Sequence, residues 1–239
     1  MTGPRPATDP RESTVRTPSP VRNVVDLSHP LDDDTPVYPG DPVARFTPAT
    51  TIDEHGYNVL HVRMGSQTGT HVDAPYHFLA DGPRIDELPL ELFLAPAVIA
   101  DVRGRAPHAA LTWADLRPVA DRLAPGRMLL LHTGWDAHWG TEAYFDHPFL
   151  DGDAAERVVA AGVRTIGLDA LSLDETVLDG EPAGGFAAHH AVLGAGGVIV
   201  ENLRGLAAVR SAEPVVSVLP LRLVGADGAP VRAVAFEVG

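Results

Sequence analysis

The chain contains no cysteine. That absence excludes a disulfide framework, a thiolate nucleophile and a thiolate-held metal, so any ion must be bound by His, Asp, Glu, Gln or water. Basic residues are scarce: 18 Lys+Arg stand against 32 Asp+Glu, a formal net charge of −14. A surface of this sign repels a phosphate backbone and no basic stripe offsets it, so nucleic acid is not an expected partner. No apolar run approaches the length of a membrane span, and no Gly-x-Ser-x-Gly elbow offers a serine nucleophile. Residues 1–22 lack the apolar core of a signal peptide and carry five prolines together with Asp9 and Glu12, which a transit peptide avoids. They read as a disordered tail, and the cytoplasm is the expected compartment.

The remainder, residues 23–239, has the length and apolar content for one α/β domain rich in strands; 45% of the chain is hydrophobic and its mean hydropathy is +0.02. Strands are expected over 24–27, 97–102, 128–131, 163–168 and 198–200. Asn58 to Met64 alternates like a half-buried strand. Thr112, with Asp115 three positions on, reads as the cap of an amphipathic helix reaching Leu123. Asp153 or a neighbour caps a helix over 154–161, and a further helix runs from about Ala187 to Leu193, stopped by the glycines that follow. Residues 215–224 and 231–238, joined by a turn at Asp227-Gly228, read as a β-hairpin.

The most informative segment is Gln67-Thr68-Gly69-Thr70-His71-Val72-Asp73-Ala74-Pro75-Tyr76-His77. Gly69 favours a turn, and Pro75 fixes its own φ and drives Ala74 extended, so the stretch is not helical. On an extended strand the side-chain period is two, which points His71 and Asp73 to one face. A neutral imidazole and a carboxylate on one point suit a divalent ion such as zinc or manganese, with His77 close enough to be a further ligand or an acid/base group. The alternative is a strand end with a capping Asp and two surface histidines. Farther on, His189 falls within the last expected helix and Glu201 directly follows the apolar Val198-Ile199-Val200. A glutamate there needs a positive partner if buried. Taken alone, its residue context favours an arginine such as Arg204, or solvent exposure.

Several strings together resemble a metal-dependent cyclase/hydrolase family that includes bacterial kynurenine formamidase, isatin hydrolase and proteins called polyketide cyclases. They are Asp26-Leu27-Ser28-His29 with Val37-Tyr38-Pro39-Gly40-Asp41, then Gly69 to Phe78, Leu130 to Trp135, Ile166 to Asp174, and His189 through Glu201-Asn202-Leu203. The resemblance spans nearly everything after the tail and keeps the family's order. It implies a compact β/β/α swivelling fold and a homodimer or larger homo-oligomer. It also implies a metal held by His71, Asp73, His189 and Glu201, with His77 beside it as acid/base. By position, Tyr38, His29, His132, Trp135 and Phe186 are expected at the pocket, although core packing is the stronger expectation for Phe186. His190 is the poorer ligand, since on a helix it points about 100° away from His189. His55, His61, His108, His138 and His147 are expected to be exposed or half-exposed.

One departure stands out. Where the family pattern has a histidine four residues before His71, this chain has Gln67. An amide oxygen is a weaker, neutral donor than imidazole for borderline metals. The site then holds one ion rather than two, or Gln67 ligates weakly, or it addresses the substrate. Three functions follow from the resemblance. One is hydrolysis of an aryl formamide-like or cyclic amide or a lactone by metal-activated water, with His77 moving the proton. The second is ring closure or dehydration on a polyketide-like carbonyl compound with the same metal and histidine. The third is a non-catalytic small-molecule-binding or scaffold role.

Overall fold

The computed structural model describes residues 20–178, 182 and 184–239. The expected tail falls outside these residues apart from its last three, of which Val21 and Arg22 belong to a strand. In chain order the strands are β1 (Val21–Asp26), β2 (Arg45–Thr50), β3 (Val59–Arg63), β4 (His71–Asp73), β5 (Leu94–Asp101), β6 (Ala110–Leu111), β7 (Met128–His132), β8 (Phe149–Leu150), β9 (Thr165–Leu168), β10 (Val198–Glu201), β11 (Val215–Ser217), β12 (Gly228–Pro230) and β13 (Val234–Val238). The helices are α1 (Ile52–His55), α2 (Trp113–Leu116), α3 (Gly152–Ala160) and α4 (Ala187–Gly194).

One sheet of nine strands organises the chain, in the order β1-β13-β11-β5-β7-β9-β10-β4-β12. Its centre, β5-β7-β9-β10, is parallel, and the strands flanking that centre pair antiparallel. Parallel centres are covered on both faces, which is why β7 and β9 read as continuous apolar runs rather than alternating ones. Leu129 and Leu131 enter one core with Ile166, Ile199 and the apolar sides of α3 and α4. Met128 and Leu130 enter the other, with Val72, Val198, Val200 and Val216. This mixed α/β architecture is the class expected.

Several local expectations are corrected. The Thr112 segment gives only one α-turn, α2, and then tightens to a 3₁₀ segment over Arg117–Arg122. Pro118 accompanies the change: it has no N–H to bond back to the Ala114 carbonyl, so the α-type ladder loses a rung there while Arg117 itself stays in the helical region. The cap of α3 falls on Asp151, a neighbour of Asp153 as the expectation allowed, its side chain accepting from the Ala154 N–H at 3.2 Å. β3 is exposed at all five positions, because it pairs only with β2 in a ribbon outside the main sheet. The expected C-terminal hairpin is also different. β11 does pair with β13, but β12 crosses to the opposite edge and pairs with β4. The apolar run ending at Val224 is interrupted by Pro220 and leaves Leu219, Leu221, Leu223 and Val224 exposed. Among the described residues no helix is long and apolar enough to cross a membrane.

Candidate active site

Strand register assembles the centre. In the antiparallel pairing of β4 with β10, His71 lies opposite Glu201 and Asp73 opposite Ile199. Directly opposed residues share a face, and the period of two adds Asp73 to it. Ile199 belongs to the core cluster that α4 packs against, so this face looks toward α4, which carries His189. One ligand-type atom from each of His71, Asp73 and Glu201 lies within 4.8 Å of the other two. His189 Nε2 closes the group, 3.4 Å from Glu201 Oε1 and 3.7 Å from Asp73 Oδ2. Glu201 is 6% exposed and faces the two imidazoles, which corrects the expectation of an arginine partner or an exposed position.

The protonation pattern follows from the partners behind each ring. His71 Nδ1 lies 2.7 Å from the Gly69 carbonyl, and His189 Nδ1 lies 2.6 Å from Asp174 Oδ2. Both partners only accept, so each Nδ1 carries its hydrogen, and in the neutral ring each Nε2 points a lone pair inward. The inward atoms then meet carboxylates: His71 Nε2 is 3.2 Å from Asp73 Oδ1 and 3.5 Å from Glu201 Oε2. Asp73 is 1% exposed, and with neutral imidazoles neither of its oxygens has a hydrogen-bond donor. Glu201 Oε1 has one, the Leu173 N–H at 2.7 Å.

Lone pairs and buried carboxylates aimed at one another require positive charge between them. Two protons would supply it, and so would one divalent ion. The proton-filled state is written in the pKa directions. Burial opposes an imidazolium at His71, but Asp73 and Glu201 outweigh it and raise the group to about 10. Burial likewise opposes charge at His189, and Asp174, Asp73 and Glu201 together lift it well above its ordinary value. Burial favours a neutral Asp73, yet the two imidazoles hold its carboxyl below the usual range. The donor set, two imidazole nitrogens and two carboxylates with no thiolate, fits a hard-to-borderline divalent metal. Asp174 completes the arrangement: its Oδ1 accepts from the Ala188 N–H and its Oδ2 from the His189 N–H, both at 2.9 Å. A carboxylate behind a ligating histidine fixes ring orientation and raises basicity.

His77 follows β4 in a single 3₁₀ turn opened by Pro75. Its Nδ1 lies 3.1 Å from Asp227 Oδ2. Burial works against charge on this ring, but the Asp227 hydrogen bond prevails and raises its pKa. Asp227 also accepts from Ser66 Oγ at 2.7 Å and from Gln67 Nε2 at 2.8 Å. Gln67 thus turns its amide nitrogen to Asp227. Neither Asp174 nor Asp227 was assigned a role from the sequence. Asp174 closes the Ile166 to Asp174 string, and Asp227 on local signals reads as a hairpin turn.

A cavity of about 230 Å³ opens over the group, lined by His71, His77, His189 and Glu201 together with Gln67, Tyr38, Asp41, Phe78 and Phe186. Among the described residues no Lys or Arg lines it. Phe186 stands edge-on to Phe78, centroids 5.1 Å apart. Three residues expected at the pocket stand elsewhere. His29 is buried and stacks on Trp139 with centroids 3.8 Å apart. His132 lies 3.9 Å from Asp169 at the end of β7, and Trp135 is packed in the core with Nε1 donating to the Ala143 carbonyl at 3.0 Å. His147, expected at least half-exposed, is fully buried; its Nδ1 donates to the Pro148 carbonyl and its Nε2 accepts from Thr176 Oγ1. His190 is exposed.

A mixed α/β fold that gathers two histidines and two acids beneath an aromatic-walled cavity defines the class of a small-molecule, divalent-metal centre. The comparisons agree with that class. The Cyclase family model, described as "Putative cyclase", matches residues 25–175. The kynurenine formamidase of Geobacillus thermodenitrificans is 33% identical over 220 residues, covering 90% of this chain and 98% of that protein. Isatin hydrolase A from Labrenzia aggregata, solved bound to benzyl benzoate, superposes with a TM-score of 0.83 at 25% identity, covering 92% of this chain and 95% of that one. A structure described as a "Potential Metal-Dependent Hydrolase With Cyclase Activity" matches with a TM-score of 0.73 at 27% identity, covering 90% and 97%. The chain belongs to the Cyclase family, in its kynurenine formamidase-like part.

Proposed function

We propose that this protein is a divalent-metal-dependent hydrolase that opens an amide of the aryl formamide type, or a related cyclic amide or lactone. The observation that carries the reading is the convergence of two inward imidazole lone pairs and two buried carboxylates beneath a cavity that His77 also lines. His71, Asp73, His189 and Glu201 hold the metal, zinc or manganese, while Gln67 turns its amide nitrogen to Asp227 and keeps its buried amide oxygen without a hydrogen-bond partner. When bound, such an ion polarises a carbonyl and makes water a competent nucleophile near neutral pH.

The chain's own groups supply the rest. His77, with Nδ1 held by Asp227, has Nε2 left to take a proton from the attacking water and return it to the departing amine nitrogen. Tyr38, Phe78 and Phe186 form apolar walls that suit an aromatic substrate and exclude bulk water. The substrate is a small molecule, and the cytoplasm is the expected compartment. Self-association into a homodimer or larger oligomer is supported by the β2–β3 ribbon, which leaves Val59, Leu60 and Val62 exposed beside Tyr57. Ring closure on a carbonyl compound at the same centre is the weaker reading. It draws on the family description, whereas the Geobacillus thermodenitrificans relative named above is a kynurenine formamidase.

The test is turnover of simple aryl formamides and lactones by protein stripped with chelator and reloaded with zinc or manganese. Reloading is expected to restore hydrolysis, and His77→Gln to lower kcat by about 10²- to 10⁴-fold at unchanged metal content. A fully loaded protein that hydrolyses neither class would refute the proposal.

A further inference from the structure

Asp227 reaches the cavity because β12 crosses to the far edge of the sheet, where Gly228 pairs opposite Asp73. This places an acid next in sequence to a strand that flanks the metal-ligand strand, directly behind His77. Oδ1 accepts from Ser66 Oγ at 2.7 Å, while Oδ2 faces both Gln67 Nε2 at 2.8 Å and His77 Nδ1 at 3.1 Å. An ionised carboxylate only accepts, so each nitrogen facing Oδ2 must present a hydrogen. Gln67 Nε2 and His77 Nδ1 lie 3.3 Å apart. As two donors they do not bond each other; both converge on the shared oxygen. Nothing else in the described residues fixes the ring's hydrogen-bonding state, since Phe78 and His189 meet it ring to ring.

We propose that Asp227, braced by Ser66 and Gln67, is a positioning residue that locks His77 in its Nδ1–H form and aims the Nε2 lone pair into the cavity. The inference rests on the acid/base role given to His77 above and adds the device that makes that role directional. It also gives Gln67 a task suited to glutamine. An amide N–H holds Asp227 in place without adding charge, whereas an ionised residue there would compete for the same carboxylate.

The experiment uses the full zinc-loaded chain with Asp227→Asn, Gln67→Leu and His77→Gln. Two-bond ¹⁵N–¹H spectra identify each imidazole's tautomer, and the His77 signal is assigned by its loss in His77→Gln. Wild type is expected to show His77 protonated at Nδ1. Asp227→Asn, which puts an amide N–H where an acceptor stood, is expected to move the proton to Nε2. In a hydrolytic triad the equivalent swap costs about 10⁴-fold in kcat through the wrong tautomer. Here the loss is expected at about 10²- to 10³-fold in kcat, with KM within about threefold and zinc content unchanged, since no covalent nucleophile depends on it. Gln67→Leu is expected to lose about tenfold and to keep the wild-type tautomer. Unchanged kcat or an unchanged His77 tautomer in Asp227→Asn overturns the inference, as does loss of folding or of zinc in that variant. A fully active His77→Gln instead overturns the acid/base reading beneath it.

Discussion

Metal binding at this centre should release two protons. The two carboxylates carry two negative charges into a buried space, and in neutral rings the inward nitrogens would be lone pairs. Without an ion, His71 and His189 must hold protons to neutralise the group. His71 is raised from 6.5 to about 10 and His189 well above its ordinary value, so both are charged at neutral pH. A divalent ion brings the same charge but needs both lone pairs, so each ion displaces two protons and the electrostatic balance is unchanged. Affinity should therefore strengthen about 100-fold per pH unit, tenfold for each displaced proton. The stability sign follows. The raised pKa of His71 stabilises the metal-free fold fully below pH 6.5, and that contribution is lost as pH rises toward 10. The metal-free protein should lose thermal stability across this window while the loaded protein should not. At free metal about 100-fold above Kd, linkage adds about 2.7 kcal/mol. For a domain of this size that is roughly 5–10 °C in Tm. Titration calorimetry in buffers of different ionisation enthalpy counts the protons directly. Release of fewer than one proton per ion, or an affinity flat between pH 6 and 8, would refute the assignment of protonated imidazoles and with it the neutrality argument.

Removing the carboxylate behind His189 by Asp174→Asn should weaken metal affinity by about 10- to 100-fold while leaving the fold intact, as read by competition with a chromophoric chelator. Gln67→His should strengthen metal binding by restoring an imidazole near the centre; an unchanged affinity would place position 67 outside the coordination sphere. Gly228→Ala should destabilise by about 1–3 kcal/mol and lower Tm, because its Cβ would come 2.6 Å from the Val72 carbonyl oxygen and 2.7 Å from Gln67 Nε2. A melting temperature matching wild type would mean that β12 shifts freely against β4.

What the chain discloses before folding is set by how local the physics is. Met128 to His132 announces a strand buried on both faces because its four apolar residues need no distant partner to be recognised. His71 and Asp73 share a face through the period of a strand, so their pairing was readable from spacing. Glu201 was not: its isolated context favours Arg204, and only the register with β4 sets it opposite His71. Asp227 was less legible still. A turn-forming Asp-Gly between apolar runs is the ordinary signal of a hairpin, and here the same dipeptide crosses the sheet to pair beside Asp73. Local signals report the propensity of a segment, whereas the partner across which it pairs is decided by the whole sheet. The residues that tune this centre from behind, Asp174 on His189 and Asp227 on His77, take their roles from contacts 15 and 150 positions away in sequence. Spacing rules for metal ligands therefore find the inner atoms and miss their supports, because a ligand's chemistry is carried by its own side chain while a support's is created by the contact.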